Sequence, residues 1–384
     1  MQTQTPGPLS PGDLDFSVLG PLRADSRHGV EFRLFWAGSG SYWLLSDGKP
    51  GRSAAAYLYS PQRPAGEALR LWMRLGGPPQ ARLFLNRDAL EQLQRVVADA
   101  LGIANPILSF AAGPPRPANK LIAAIMDGAG RPHAFAKMAP RGAARELLSL
   151  EADALTRLAG IGSLRSSLPR ILGRMESTGF EILLLAPGPV SRGPRRAGEA
   201  HLHFLAELQE ATSEEGTVAE LRQFGEALRL LNKARAVLRP PELERYERVL
   251  DVLRSELGSS PLHASVAHGD FVPWNTRSGS SALWVLDWES ARAGTLGGFD
   301  AFHFEFVPAA LKGRGEPAPA LPLALLDRTW PEGRELVPLL RLAYLMSLSL
   351  QYCHDLGQSG RSRRNPILAR AWASLDKLLQ PYGK

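Results

Sequence analysis

Apolar and polar residues alternate over the early part of the chain, and a period of two predicts strands. Val30-Glu31-Phe32-Arg33-Leu34-Phe35-Trp36 alternates, residues 41–45 follow a Gly-Ser turn, and residues 56–59 and 69–75 form third and fourth short runs. These runs predict a small accessory β-rich region over residues 14–100. The Pro-, Gly- and Thr-rich residues 1–13 ahead of it are expected to be a disordered tail. Residues 88–101 then switch to helical spacing, with Leu90, Leu93, Val96, Val97 and Leu101 on one face and Asp88 at the start. Three strands are expected at 107–110, 120–126 and 133–138, the last two joined through Asp127-Gly128-Ala129-Gly130. A helix over 143–158 and an apolar strand from Glu181 into Pro187-Gly188 complete this part. Beyond it the three-to-four spacing of a helical region takes over, at 199–211, 218–238, 241–257, 321–326, 333–350 and 365–379.

Composition narrows the class. A chain of 384 residues with 44% apolar and 22% charged residues suits a globular protein of two or three cores. No apolar run approaches the roughly 18 residues of a membrane span. The best candidate, 336–350, is broken by Pro338, Arg341 and its serines. Residues 1–8 carry neither a basic start nor an apolar core, so no secretory signal is expected there, and the single cysteine, Cys353, excludes an internal disulfide framework. A cytoplasmic location is expected. The net charge of +7 raises a nucleic-acid partner. Its dense clusters, Arg192, Arg195, Arg196 and Arg361, Arg363, Arg364, lie in Gly/Ser/Pro contexts without interleaved aromatics. They are expected to be solvated loops, with attraction of an anionic small molecule as the sharper alternative. No nucleic acid partner is expected, and the sequence sets no oligomeric state.

The chemistry concentrates in His268-Gly269-Asp270-Phe271-Val272-Pro273-Trp274-Asn275 and the following Val285-Leu286-Asp287-Trp288-Glu289. An Asp, an Asn five positions on and a second Asp after a hairpin-sized gap form the set that phosphoryl transfer uses. One carboxylate orients the acceptor hydroxyl and takes its proton, while an amide oxygen and the other carboxylate hold divalent ions against the phosphates. Ser278-Gly279-Ser280-Ser281 supplies the turn and residues 282–286 the returning strand.

These two motifs, in this order, resemble the aminoglycoside phosphotransferase and choline kinase family of small-molecule kinases. The resemblance implies an α+β protein-kinase-like bilobal fold. A β-rich nucleotide lobe would lie at 101–188 and a mostly helical C-terminal lobe with the catalytic loop at 189–384. The accessory region has no counterpart in that pattern. ATP and Mg²⁺ are the implied cofactors, and a nucleotide and a small-molecule hydroxyl acceptor the implied partners. Carried over, Asp270 is the catalytic base, Asn275 and Asp287 the metal ligands, and Asp300, in Gly297-Gly298-Phe299-Asp300, a structural brace. Lys137, late in the third strand, would meet the phosphates, paired with Glu151 on the next helix, Glu146 being the alternative. Leu185 and Ala186 are implied as the hinge that meets the base.

His268 is expected to brace the loop rather than to catalyse. His201 and His203, two apart on a helix, point to different faces and suit no common metal. The segment 111–119 departs from the family: one Gly and three Pro replace a glycine-rich loop, and Pro brings no N–H to phosphate oxygens. Arg116 or Asn119 would then be the donors. Glu289, Glu305, Arg341, Tyr344 and Asp355 are acceptor-side candidates by region alone. The competing reading is a catalytically weak kinase-like module that binds nucleotide or a partner. A protein-substrate kinase is disfavoured by the His-Gly-Asp form and by the lack of Asp-Phe-Gly and Ala-Pro-Glu-like motifs.

Overall fold

The computed structural model describes residues 10–24, 29–59, 61, 64–116, 118–140, 142–191, 193–194, 196–258, 260–279, 282–315, 317–359 and 365–382. Most of the expected disordered tail lies outside these residues; within it, Pro11–Asp13 forms a 3-10 turn. Of the arginine clusters only Arg196 is described, and it is exposed. Two compact units emerge, one of Met1–Ala159 with Pro169–Arg192, the other of Gly160–Leu168 with Gly193–Lys384.

The first unit runs β1 (Val30–Trp36), β2 (Tyr42–Leu45), α1 (Gly48–Leu58), α2 (Pro64–Arg74), β3 (Ala81–Leu85), α3 (Arg87–Leu101), β4 (Ile107–Ala112), β5 (Leu121–Met126), β6 (Pro132–Ala139), α4 (Ala143–Ala159), β7 (Ile171–Ser177) and β8 (Phe180–Leu185). All eight strands join one antiparallel sheet in the order β3-β1-β2-β4-β5-β6-β8-β7. The accessory strands therefore do not form a sheet of their own. β2 pairs with β4 through Tyr42↔Ala112, Trp43↔Ala111 and Leu44↔Phe110, and extends the sheet of β4 to β8 by three strands.

Two of the four expected accessory strands are helices instead. Residues 56–58 end α1, whose Ser-Ala-Ala-Ala run has high helix propensity and whose Pro50 stands in the first turn. Residues 69–74 end α2, which opens on Pro64 with Glu67 in its first turn. That helix buries Met73 and leaves Leu71 and Trp72 exposed, and within 69–75 alone Leu69, Leu71, Met73 and Leu75 fall at every second position, so the run also satisfies the period of a strand. Strand β7 had no expected counterpart. Its edge position leaves most of it partly exposed, and it returns into β8 through Thr178-Gly179, both at positive φ as a tight two-residue hairpin turn requires.

Each face of the sheet has its own cover. Alternate residues Phe110, Ala123, Ile125, Ala134, Ala136 and Met138 join a core with Phe32, Leu34, Leu90, Leu93 and Val97, the last three from α3. The opposite parity places Ala111, Ala124 and Phe135 against Ala54, Ala55, Met73 and Trp43, under α1 and α2.

The second unit runs α5 (Glu199–Ala211), β9 (Glu214–Gly216), α6 (Arg222–Ala234), α7 (Pro240–Leu257), β10 (Leu262–Ala267), β11 (Thr276–Ser278), β12 (Leu283–Val285), β13 (Arg292–Leu296), α8 (Phe299–Leu311), α9 (Ala320–Thr329), α10 (Val337–Ser359) and α11 (Pro366–Leu379). A three-stranded sheet, β13-β10-β9, and the β11–β12 hairpin carry the loop segments between β10 and β13. Residues of α6, α7, α8, α10 and α11 close one large apolar core that includes Tyr246, Leu253, Leu342, Leu345 and Leu375. Among the described residues no helix is long and apolar enough to cross a membrane.

The join between β1 to β3 and the strands from β4 onward is a packing joint as well as a ladder. Phe110 of β4 is fully buried with its ring centroid 5.8 Å from that of Phe32 on β1. Phe110→Ala is expected to lower unfolding stability by about 3–5 kcal/mol, measured by denaturant titration. A loss below about 1 kcal/mol would mean that β1 contributes little to that core.

Candidate active site

In the first unit, Lys137 pairs across the sheet with Ile122 of β5 and Leu183 of β8. Its ammonium lies 2.6 Å from both carboxylate oxygens of Glu151 on α4. Glu151 has no exposed surface, whereas Glu146 is exposed, so the ammonium meets Glu151. A carboxylate this deep is costly to bury without a partner, and the bidentate contact in turn fixes the lysine head. Leu185 ends β8, and the Ala186 N–H donates to Arg170 O at 2.8 Å. In the Pro-rich segment, Asn119 N–H donates to the Arg116 carbonyl at 3.1 Å. A Cβ on Gly40, in the β1–β2 turn, would lie 3.1 Å from Pro115 Cδ, so the segment leans on the accessory strands.

In the second unit the catalytic-loop motif runs from the end of β10 into β11. Gly269 has φ 81°, and a Cβ there would overlap the Ser290 carbonyl, so only glycine fits between His268 and Asp270. Asp300, in the first turn of α8, accepts the backbone N–H groups of His268 at 2.6 Å and Gly269 at 3.0 Å. His268 is fully buried; its Nδ1 accepts from the Asp270 N–H at 3.2 Å and its Nε2 donates to Leu286 O at 2.8 Å. The Leu286 N–H donates to Asn275 O at 2.8 Å. Two hydrogen bonds thus tie the loop to the residue before Asp287. Trp288 is buried, 4.6 Å from the His268 ring, so it belongs to the packing.

Asp270 is held at both oxygens. Asn275 Nδ2 donates to its Oδ2 at 2.9 Å and to its carbonyl at 3.0 Å. His303 Nε2 donates to its Oδ1 at 3.2 Å. With 41% of its side chain exposed, Asp270 remains reachable from solvent. Burial pushes the Tyr344 hydroxyl well above its usual range, so it stays a donor, and it lies 3.4 Å from His303 Nδ1. A carboxylate oxygen of Asp270 only accepts, so its contact with His303 Nε2 places a proton on that nitrogen. The sequence reading missed His303. Its signal was the spacing Asp300-x-x-His303, which puts both side chains on one helix face, one for the loop backbone and one for its carboxylate.

The donor set fits a hard divalent cation. The Asn275 amide nitrogen is committed to Asp270, which leaves its oxygen as the ligand atom. Asp287 has φ 69°, a left-handed turn that asparagine and aspartate tolerate best, and its carboxylate comes within 4.8 Å of that of Glu289. All of these donors are oxygens, as magnesium prefers. The other regional candidates serve the packing or the surface. Glu305 accepts from the Leu321 N–H at 2.9 Å, Arg341 reaches the Pro317 carbonyl at 3.4 Å, and Asp355 accepts from Gln351 at 3.0 Å.

A lysine–glutamate pair on an antiparallel sheet and an Asp–Asn–Asp set around a hairpin define a kinase-like phosphotransferase scaffold. The family model described as "Phosphotransferase enzyme family" matches residues 124–336, more than half of the chain, and the protein belongs to that family. It is accordingly an enzyme, a phosphotransferase. Among solved structures the chain is similar to a choline/ethanolamine kinase family protein from Mesorhizobium loti (16% identity, 68% of this chain and 85% of that one, TM-score 0.48). It is also similar to a choline kinase from Streptococcus pneumoniae (12%, 68% and 90%, TM-score 0.47). A third is an aminoglycoside phosphotransferase in complex with ADP and hygromycin B (12%, 76% and 99%, TM-score 0.49). No curated protein gives a significant match.

Two outcomes follow from this geometry. His303→Ala removes a hydrogen bond to a charged group, and turnover is expected to fall roughly ten- to a hundredfold with folding retained. Steady-state kinetics and circular dichroism check it; unchanged turnover would remove His303 from the site. His201 on α5 is fully buried against Phe304, 4.5 Å away, and Phe271 of the loop, 6.1 Å away. Burial lowers its pKa from 6.5 to about 4, while the Gly198 carbonyl opposes this without reaching hydrogen-bond geometry with the ring. The unfolded chain therefore takes up a proton that the folded site refuses. Stability is full above pH 6.5 and falls as pH drops from 6.5 towards 4. His201→Phe is expected to flatten that slope in denaturant midpoints measured at pH 7.5 and 5; parallel slopes would count against it.

Proposed function

We propose that the protein transfers the γ-phosphoryl group of ATP to a hydroxyl of a small molecule: a sugar, an aminoglycoside or an amino alcohol. The observation that carries the reading is Asp270, anchored at one oxygen by Asn275 and at the other by His303, yet exposed enough to meet an acceptor. A carboxylate has about four lone-pair positions, so two remain for the incoming hydroxyl. Asp270 orients that hydroxyl and accepts its proton as the oxygen attacks phosphorus. The fixed hydrogen bonds keep the carboxylate from rotating, which is catalysis by positioning. Lys137, steadied by Glu151, holds the phosphates of the nucleotide. Bound by Asn275 and Asp287, magnesium would neutralise charge on the transferring group. Residues 101–188 serve as the nucleotide lobe and 189–384 as the catalytic lobe of this reading, with the cytoplasm, where ATP is abundant, as its place of action.

The test is nucleotide turnover with a panel of hydroxyl-bearing metabolites and aminoglycosides, with and without Mg²⁺. Asp270→Ala and Asp287→Ala are each expected to lower acceptor-dependent turnover by a hundredfold or more. Wild-type activity in both variants would overturn the assignment. Mg²⁺-dependent stabilisation by ATP with no turnover on any acceptor would favour the kinase-like binding module instead.

A further inference from the structure

The sheet face that carries Lys137 also carries Phe135, two residues earlier on β6, and Ile122, the partner of Lys137 on β5. Strand residues two apart share a face and stand about 7 Å from one another. A ribose with its first phosphate bridges a gap of that size. A nucleotide held at Lys137 by its phosphates therefore brings its base within reach of Phe135.

Beside Phe135 the sheet is roofed by α1, and between roof and sheet lies an open cavity of about 320 Å³. That volume is at the lower end of the range for small-molecule sites. Its walls are flat rings: Tyr57 and Tyr59 at the end of α1, Trp43 of β2 and Phe135, with Ile122 along one side. Trp43 and Tyr59 have ring centroids 4.2 Å apart, and Tyr57 and Phe135 5.7 Å apart. The Trp43 indole N–H donates to Leu58 O at 3.3 Å, which fixes the end of the helix. Ser39 and Ser41, hydrogen-bonded to each other at 3.0 Å, put hydroxyls at the rim. Flat aromatic walls with a few polar groups at one edge suit a planar heterocycle, which stacks on rings and hydrogen-bonds along its edge.

We propose that this cavity receives the nucleobase, so that the accessory region supplies one wall of the base slot through Tyr57 and Tyr59. The inference rests on the proposed use of a nucleotide and assigns a task to residues that the kinase-like part does not contain. The full-length protein is titrated with ATP and with inorganic tripolyphosphate by calorimetry, as wild type, Tyr57→Ala, Tyr57→Phe and Tyr59→Ala. Tyr57→Ala is expected to weaken ATP about tenfold and leave tripolyphosphate unchanged, while Tyr57→Phe, which keeps the ring, binds ATP like wild type. ATP affinity within twofold of wild type in both alanine variants overturns the wall and leaves phosphoryl transfer standing. Equal losses of ATP and tripolyphosphate in Tyr57→Ala mark a collapse of α1 and overturn stacking as its role. A wild type that binds neither compound and turns over no nucleotide overturns the proposed function, and the slot with it.

Discussion

Asp300 accepts two consecutive backbone N–H groups, those of His268 and Gly269, just where the chain leaves β10 and must turn sharply at a positive φ. Without that acceptor two buried donors would be left unpaired, at a cost of about 1–3 kcal/mol each. The loop would be free to relax away from the geometry that only glycine permits. Everything else in the second unit's site hangs from this contact. The His268 ring is held between the Asp270 N–H and Leu286 O, Leu286 is held by Asn275, and Asp287 follows directly. One carboxylate on one helix thereby sets the positions of a candidate base and of two candidate metal ligands that arrive on separate segments.

The same helix reaches the site twice. Asp300 fixes the backbone of the loop, and His303, one turn on, fixes the side chain of Asp270 with Tyr344 behind it. Rigid elements place side chains more accurately than loops do, and here the loop borrows its accuracy from α8. The first unit uses a comparable device, in which a strand lysine is held by a fully buried glutamate from α4.

Legibility in the sequence followed the distance over which each signal acts. Strands β4, β5, β6 and β8 and most helices from α5 onward were visible as periodicity, because burial of one face imprints itself on neighbouring residues. The edge strand β7 and helix α8, which is buried on nearly every side, carried no such one-faced pattern and were not expected. The Asp270, Asn275 and Asp287 set was visible because its members fall within a single loop and hairpin. Residues 56–59 and 69–75 misled, since apolar runs this short do not separate helix from strand, and the starts at Pro50 and Pro64 were the better clue. Two further features were set by tertiary packing. The pairing of β2 with β4 spans two helices, a strand and a third helix, and strand pairing leaves no mark at that separation. The contact of His303 with Asp270 depends on how α8 packs, which single-residue chemistry does not encode.

The position of β2 beside β4 has a consequence for the life of the chain outside its folded state. Without the accessory strands, β4 would be a terminal strand, apolar along its length, with a row of unsatisfied amides open to any extended peptide. Such edges recruit other chains and seed aggregation. The added strands move the sheet's open border out to β3, whose residues Arg82 and Glu31 on β1 form an ion pair, and whose five residues are too few to template much. The accessory strands thus keep β4 paired on both sides, so a chain cut back to β4 would carry an open apolar edge.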